Sequence, residues 1–378
     1  MSHLEFTRRP TAAHIQLDNL TYNLKSIKSF VGEDLLFMAV VKADAYGHGA
    51  VKCASRLEPD VDWFGVALLE EAIELRQAGI WKPILCLGGV WPGQESALLE
   101  HEITPAVFDL DHARRISRAA QPVGRKASIH VKIDTGMGRV GVPFSEVTQF
   151  VKGLANIPHL QVDGLMSHLA AADDLSQSEF TRKQIDMLHS AGDIFRRAGL
   201  QPSIIDMANS PGAVAYPGSR ENMVRIGGLL YGLGGDVLPK GISKPDLKAV
   251  MSLSTRVAQV KRMPAGCTLG YGRTFSTTRE SLIGTLPIGY RDGYRRDLSG
   301  KASVIVNGKL APVAGRISMD WTIVDLTEIP ETKVGDTAVL IGQDGGLSIS
   351  AEDLAAAIGS ISYEITCGIS ERVSRDYS

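Results

Sequence analysis

The sequence predicts an α/β fold: a (β/α)8 barrel of the TIM type followed by a mostly antiparallel β domain. Two observations predict the barrel and a third predicts the β domain. Over the first 245 residues, short apolar runs alternate with amphipathic stretches. The runs are apolar along most of their length, as in parallel strands covered on both faces. Eight such strand–helix pairs fill the roughly 250 residues typical of a closed barrel; an open doubly wound sheet is the alternative. After about Lys244 the runs become short and rich in β-branched residues. Residues 1–245 are therefore read as the barrel and 246–378 as the β domain.

The predicted barrel strands are Leu35–Val41, Trp63–Ala67, Pro83–Leu87, Ile103–Phe108, Ala127–Ile133, Leu160–Ser167, Pro202–Met207 and Met223–Tyr231. Between them, Leu20, Leu24, Ile27 and Val31 recur at helical spacing, with Asp18 or Asn19 as N-cap. Val147, Phe150, Val151 and Leu154 repeat that pattern after Pro143. The stretch Ser176–Gly199 ends with Arg196 and Arg197 before Gly199, a cationic last turn and a glycine stop. In the β domain, strands are expected at Ser252–Val260, Ser281–Leu286, Ser303–Val306, Ile317–Val324 and Thr337–Ile341, with a helix near Ala351–Ile358. Asn307-Gly308 between two apolar runs marks a type I′ hairpin.

Composition excludes several classes. Hydrophobic residues at 44% and charged residues at 22% rule out intrinsic disorder. Forty basic against 42 acidic residues give a net charge of −2, with no general attraction to nucleic acid or anionic lipid. The four cysteines are widely separated, which supports neither a disulfide framework nor a metal site. Met1 to Leu20 holds no apolar signal core, and the longest apolar run, Leu35–Val41, is far below the ~20 residues a membrane span needs. A soluble protein of a reducing, cytoplasmic compartment is expected.

Barrel enzymes work at the C-terminal ends of their strands, so residues there are the first candidates. Lys42 ends the first run within Val41-Lys42-Ala43-Asp44-Ala45-Tyr46-Gly47-His48-Gly49. Apolar neighbours would favour its neutral amine, able to form a Schiff base and to act as a general base; a snorkelling lysine is the plainer reading. The fifth run ends in Lys132-Ile133-Asp134-Thr135-Gly136-Met137-Gly138-Arg139. Arg139 there is a candidate carboxylate clamp through its guanidinium fork. The last two runs lead into Asn209-Ser210-Pro211-Gly212 and Arg225-Ile226-Gly227-Gly228, where Ser210 and the backbone of the two glycines could hold a phosphate. A lysine facing a phosphate cradle suggests pyridoxal 5′-phosphate. His168 after the sixth run, and the glycine-bracketed tyrosines of the β domain, can equally be structural.

Seven motifs in order span both domains: AVVKADAYGHG, KIDTGMGRVG, ANSPG followed by MVRIGGLLYG, LGYGRTF, IGYRDGY, GRISMD and ISYE. Over essentially its full length the chain resembles the bacterial alanine racemase family. The resemblance implies a pyridoxal-phosphate enzyme with a barrel and a β domain, forming a homodimer with shared active sites, and acting on alanine. It makes Lys42 the Schiff-base lysine and the base for one face of Cα. Tyr271 becomes the opposing base, reaching the partner's barrel mouth. His168 and Arg225 are its neighbours, with Arg225 facing the pyridine nitrogen. Arg139 and the backbone at Met319 match substrate-carboxylate contacts. Tyr46, Ser210, Gly227, Gly228 and Tyr363 match phosphate contacts, and Tyr363 and Tyr290 narrow the entrance. Lys132 matches a lysine that is often carbamylated.

Two positions depart from the family pattern: Asp206 stands where many members carry histidine, and Gly228 replaces a bulkier aliphatic residue. The expected product is D-alanine for peptidoglycan. The nearest alternative is a broad-specificity racemase. A fold-related decarboxylase would need an acidic residue where Arg225 stands, and a non-enzymatic pyridoxal-phosphate carrier would lack the β domain.

Overall fold

A computed structural model describes residues 9–378; the first eight residues, part of the stretch read as lacking a signal core, lie outside the described residues. The chain divides into two compact units, one of residues 20–248 and the other of residues 249–378 together with the N-terminal segment.

The first unit is a closed parallel barrel. Its strands are β2 (Leu36–Val40), β3 (Trp63–Val66), β4 (Ile84–Cys86), β5 (Thr104–Val107), β6 (Ala127–Asp134), β8 (Leu160–Met166), β9 (Ile204–Asp206) and β10 (Met223–Ile226); β1 (Ala12–Ile15) belongs to the other unit, and β7 (Val142–Pro143) is a short strand beside β6. Each barrel strand pairs with the next, and β10 closes the ring onto β2 with Met38 opposite Arg225. Helices follow the predicted spacing. Leu17–Val31 buries Leu20, Leu24, Ile27 and Val31, each contributing about 1.5–3 kcal/mol of apolar burial. That helix starts ahead of the expected caps, so Asp18 and Asn19 lie in its first turn. Ser178–Arg197 stops where Gly199 turns left-handed at φ 80°.

Side chains alternate across a strand, so every second residue points into the barrel. Met38, Leu85, Ala106, Met166, Ile204 and Met223 form one interior cluster with Leu36, Trp63 and Leu87 against it. Moving two residues up three of these strands from that layer reaches Asp206, Arg225 and His168. The barrel floor is thus filled, and its upper layer is polar.

The predicted strand Met223–Tyr231 is too long: it ends at Ile226, and Gly228–Tyr231 is a 3-10 turn. Glycine at 227 and 228 removes the side chains that would continue the ladder packing, and backbone turns away there.

The second unit adds β11 (Met251–Arg256), β12 (Gln259–Met263), β13 (Thr268–Leu269), β14 (Phe275–Ser276), β15 (Ser281–Leu286), β16 (Ser303–Val306), β17 (Lys309–Pro312), β18 (Thr322–Asp325), β19 (Thr337–Asp344), β20 (Leu347–Ile349) and β21 (Ser374–Tyr377). The main sheet runs β17-β16-β19-β11-β1-β21; a second of three strands runs β12-β15-β18. All pairs are antiparallel except β1 with β21. Asn307 (φ 49°) and Gly308 (φ 70°) make the expected tight hairpin between β16 and β17.

Three expectations need correction here. Residues 9–19 were read with the barrel but pack with the β unit, because β1 fills the gap between β11 and β21. The single run Ser252–Val260 is two strands: the chain changes sheets at Val257 and Ala258, whose amides bond to Asp336 O and Thr285 O. The run Ile317–Val324 becomes strand only at Thr322, since Ile317–Trp321 forms the loop described below.

Candidate active site

Lys42 follows β2 by two residues at the barrel's C-terminal mouth and is half-buried. The chain then makes a left-handed turn: Ala43, Asp44, Ala45 and Tyr46 all have φ between 52° and 55°. Such a conformation costs L-residues about 1–2 kcal/mol each. Neighbouring groups hold it. Glu71 accepts from the amide of Ala43 at 2.7 Å, and its other oxygen accepts from Ala67 (2.7 Å) and Leu68 (3.2 Å) at the end of β3. Asp44 Oδ1 accepts from the Ala50 amide at 2.7 Å. His48 is fully buried and its Nδ1 donates to the carbonyls of Ala45 and Tyr46 at 3.0 Å. The turn is clamped at both ends, so Lys42 and Tyr46 leave a rigid backbone.

Facing Lys42, β6, β8 and β10 supply Lys132, His168 and Arg225. Lys132 is 6% exposed. Burial first, then the charges of Arg225, Arg139 and Lys42, push its ammonium down to about 8, with Asp134 opposing. His168 is driven well below the usual imidazole range by burial and by Arg225, Arg139, Lys132 and Lys42; it is a neutral imidazole. Four cations therefore converge on one mouth. Arg139 is exposed at its rim, beyond a turn in which Asp134 Oδ1 accepts from the amides of Gly136 (2.8 Å) and Gly138 (3.1 Å).

Arg225 is buried among acceptors. One terminal nitrogen pairs with Asp206. The other donates to Ser167 O at 2.7 Å and Met207 O at 3.3 Å and lies 3.3 Å from His168 Nδ1. Asp206 is also 3.6 Å from His130 Nδ1.

The residues expected to hold a phosphate lie together beside this cluster. Ser210 opens the helix Ser210–Ala215, whose cap Asn209 accepts from Gly212 N at 3.0 Å. The Gly227 amide donates to Ser210 Oγ at 3.0 Å. A Cβ at Gly227 would lie 2.4 Å from the Tyr46 hydroxyl, so Tyr46, Ser210 and Gly227 share one small space. Gly228 opens the following turn. Tyr231 supports the cradle from below: its ring stacks on His48 at 4.6 Å and packs 5.1 Å from Tyr46, and its hydroxyl donates to Val40 O at 3.0 Å.

Tyr271, Met319 and Tyr363 lie in the β unit, apart from this barrel cluster in the chain's division. Tyr271 tops a 3-10 turn and is 67% exposed. Met319 is half-exposed, and its carbonyl accepts from the Arg291 amide at 3.1 Å while Ser318 O accepts from Tyr290 N at 2.9 Å. A Cβ at Gly289 would fall 2.3 Å from Ser318 O and 2.4 Å from Met319 O; the IGYRDGY and GRISMD loops interlock there. Tyr363 lies in the helix Ser362–Cys367.

Several supporting residues escaped sequence reasoning. Glu71 reads as an ordinary N3 cap of its helix. Gln184 reads as a polar position of the helix Ser178–Arg197, yet it is fully buried, donates to His168 O (3.1 Å) and Thr135 Oγ1 (3.2 Å) and accepts from Ala170 N (3.0 Å). The Asp206–Arg225 pair had a signal, since strand alternation places both inward.

The fold and the site thus define a barrel enzyme with a half-buried lysine, a serine hydroxyl bonded to a glycine turn and four cationic side chains at one strand end. Residues 15–234 match the family model for the alanine racemase N-terminal domain and residues 250–377 that for its C-terminal domain. The alanine racemase of Halothermothrix orenii is 41% identical over 372 residues, covering 98% of this chain and 97% of that protein. Among solved structures, the alanine racemase of Clostridium difficile 630 superposes with a TM-score of 0.92 at 38% identity, covering 98% of this chain and 96% of the other. That of Bacillus anthracis with bound L-Ala-P gives 0.92 at 34%, covering 99% and 96%. The chain belongs to the alanine racemase family and is an isomerase.

Proposed function

We propose that the chain interconverts L- and D-alanine with pyridoxal 5′-phosphate held at the barrel mouth, by proton transfer between two bases on opposite faces of Cα. The observation that carries the reading is the joint placement of Lys42, Arg225 and the Tyr46–Ser210–Gly227 cradle on one strand end. The residues fit the cofactor: glycine at 227 lets the Tyr46 hydroxyl come close to the backbone there, beside the Ser210 hydroxyl, and Arg225 is a buried donor on the same mouth. Tyr46, Ser210, Gly227, Gly228 and Tyr363 would hold the phosphate, Lys42 the aldehyde carbon, and Arg225 the ring nitrogen, with His168 at its side.

When bound, pyridoxal phosphate supplies the electron sink that makes the Cα–H of an attached amino acid acidic. The chain's residues do the rest. Lys42 Nζ takes or returns the proton on one face. Tyr271 of a second copy serves the other face, since one rigid amine reaches only one side. Arg139 and the Met319 backbone hold the carboxylate, and Tyr363 with Tyr290 restricts the side chain to a methyl group. Because Arg225 is an arginine, it would give the ring nitrogen of the bound cofactor a hydrogen bond without a transferable proton.

The exposed Tyr271, Met319, Trp321 and Tyr290 support a homodimer. Tyr271 and Trp321 line a groove of about 750 Å³ together with Arg316 and Ile323, and exposed apolar patches of this kind mark partner surfaces. No described helix is long and apolar enough to cross a membrane. The proposed setting is the bacterial cytoplasm, with D-alanine passing to peptidoglycan.

The test follows Cα-proton exchange in deuterated water from each alanine enantiomer. Tyr271→Phe is expected to suppress exchange from L-alanine while exchange from the D side and cofactor uptake persist. Equal loss from both enantiomers would overturn the two-base assignment.

A further inference from the structure

Asp206 ends β9 opposite Met223 of β10, and Arg225 stands two residues further along that neighbouring strand. Both side chains point into the barrel, above the interior layer that contains Ile204 and Met223. Asp206 is wholly buried and Arg225 is 3% exposed. Removing one partner from such a pair leaves a charge in a site that cannot solvate it.

The guanidinium has no remaining freedom to swing. Asp206 takes one terminal nitrogen, while Ser167 O and Met207 O take the other. Around it the mouth carries Lys42, Lys132 and Arg139. Of the nearby carboxylates, Asp134 is occupied by the amides of its own turn, and Asp206 is the one that meets Arg225 directly. Burial and the Arg139 charge both work against the Arg225 cation, and Asp206 is the carboxylate paired with it.

We propose that Asp206 is a positioning residue for the ring end of the cofactor site: it fixes the plane of the Arg225 guanidinium and supplies the negative charge that keeps it buried, so the group presented to the ring nitrogen is an arginine–carboxylate pair instead of a lone cation. This rests on the pyridoxal-phosphate reading above. Asp206 touches neither ring nor substrate and acts through Arg225.

The test uses the full chain loaded with pyridoxal phosphate labelled with 15N in the ring. In Asp206→Asn the ring-nitrogen resonance is expected to move toward that of an unbonded pyridine, and cofactor affinity, measured by fluorescence titration, to fall about tenfold, as removal of an orienting partner generally does. Asp206→Glu, which keeps the charge, is expected to recover part of both. Should Asp206→Asn fail to fold, Asp206→His provides the second reading: it removes the fixed charge and keeps a hydrogen-bonding ring, and its resonance is expected to shift as well. A resonance and an affinity matching the unaltered chain in a folded variant would overturn the assignment. Failure of the unaltered chain to form a borohydride-trappable adduct on Lys42 would overturn the cofactor reading instead, so the two failures are distinct.

Discussion

The Tyr46 hydroxyl occupies the place where a side chain at position 227 would begin, 2.4 Å from the site of a Cβ, with the ring carbon Cζ at 3.1 Å. The relationship joins the left-handed turn after β2 to the turn after β10, and it makes Gly227 a spatial requirement of the cradle. Gly227→Ala must displace Tyr46, which Tyr231 backs at 5.1 Å. Overpacking of this kind costs about 1–3 kcal/mol. The expected outcome is a weakened hold on pyridoxal phosphate, roughly tenfold or more in Kd, with a modest fall in Tm. Tyr46→Phe in the Gly227→Ala background removes the closest atom and should restore part of the stability. An unchanged titration in Gly227→Ala would mean that the phosphate does not enter this space.

A second prediction concerns the strained turn that carries Lys42. Glu71 bonds to three amides, one in the turn and two at the end of β3. Hydrogen bonds to a charged acceptor contribute about 1.5–3 kcal/mol, which is comparable with the cost of one or two residues in the left-handed region. Glu71→Ala is therefore expected to free the turn, slowing the attachment of pyridoxal phosphate to Lys42 at least tenfold. Stopped-flow absorbance measures that rate, and borohydride trapping identifies the lysine. Glu71→Gln keeps the shape but loses the charge and one acceptor, and should fall between. A rate equal to that of the unaltered chain would show that the turn holds itself.

The barrel was legible because its strands are buried on both faces and so read as apolar runs with little ambiguity. The β unit was less legible for a physical reason: its strands exchange sheets within a single run, as at Val257 and Ala258. β1 was missed because Ala12–Ile15 is four residues long and finds both partners, β11 and β21, more than 230 residues away. Local periodicity cannot report such a pairing. Among site residues, Lys42, Arg225, Ser210 and Gly227 were readable from their strand-end positions. Glu71 and Gln184 were not, since a carboxylate near a helix start and an amide within a helix are normally spoken for by solvent. Their importance comes from the loops that three-dimensional packing lays over them.

Gly289 gives the corresponding prediction for the β unit. A Cβ there would fall 2.3 Å and 2.4 Å from two backbone oxygens, those of Ser318 and Met319. Backbone cannot move aside as a side chain can. Gly289→Ala is expected to force the GRISMD loop outward, at a cost of about 1–3 kcal/mol or more, seen as a lower Tm. The same displacement moves the Met319 backbone, so KM for alanine should rise more than kcat falls, if that backbone holds the substrate carboxylate. A Tm change with no change in KM would confine the loop to a structural role.

Lys132 yields the last prediction, through pH. Its ammonium titrates near 8 in the folded chain against an ordinary 10.5. Between those values the folded chain binds fewer protons than the unfolded chain, so stability rises with pH. The penalty is fully present below pH 8, shrinks as pH rises from 8, and is gone above about 10.5; at 1.36 kcal/mol per pH unit it amounts to about 3 kcal/mol. The amine that becomes neutral near pH 8 is also the form that reacts with carbon dioxide. Its nitrogen lone pair adds to the carbon of CO2, one proton leaves, and the product is a carbamate anion. A cation crowded by Arg225, Arg139 and Lys42 is thereby replaced by an anion they attract. Chain equilibrated with bicarbonate near pH 8 is expected to gain the mass of one CO2, and its Tm to rise. Lys132→Met should show neither the mass gain nor the bicarbonate response, while its stability should depend less on pH between 8 and 10.5. A plain amine at Lys132 in a crystal grown with bicarbonate, together with an unchanged Tm, would remove the carbamate and leave Arg139 to be held by other means.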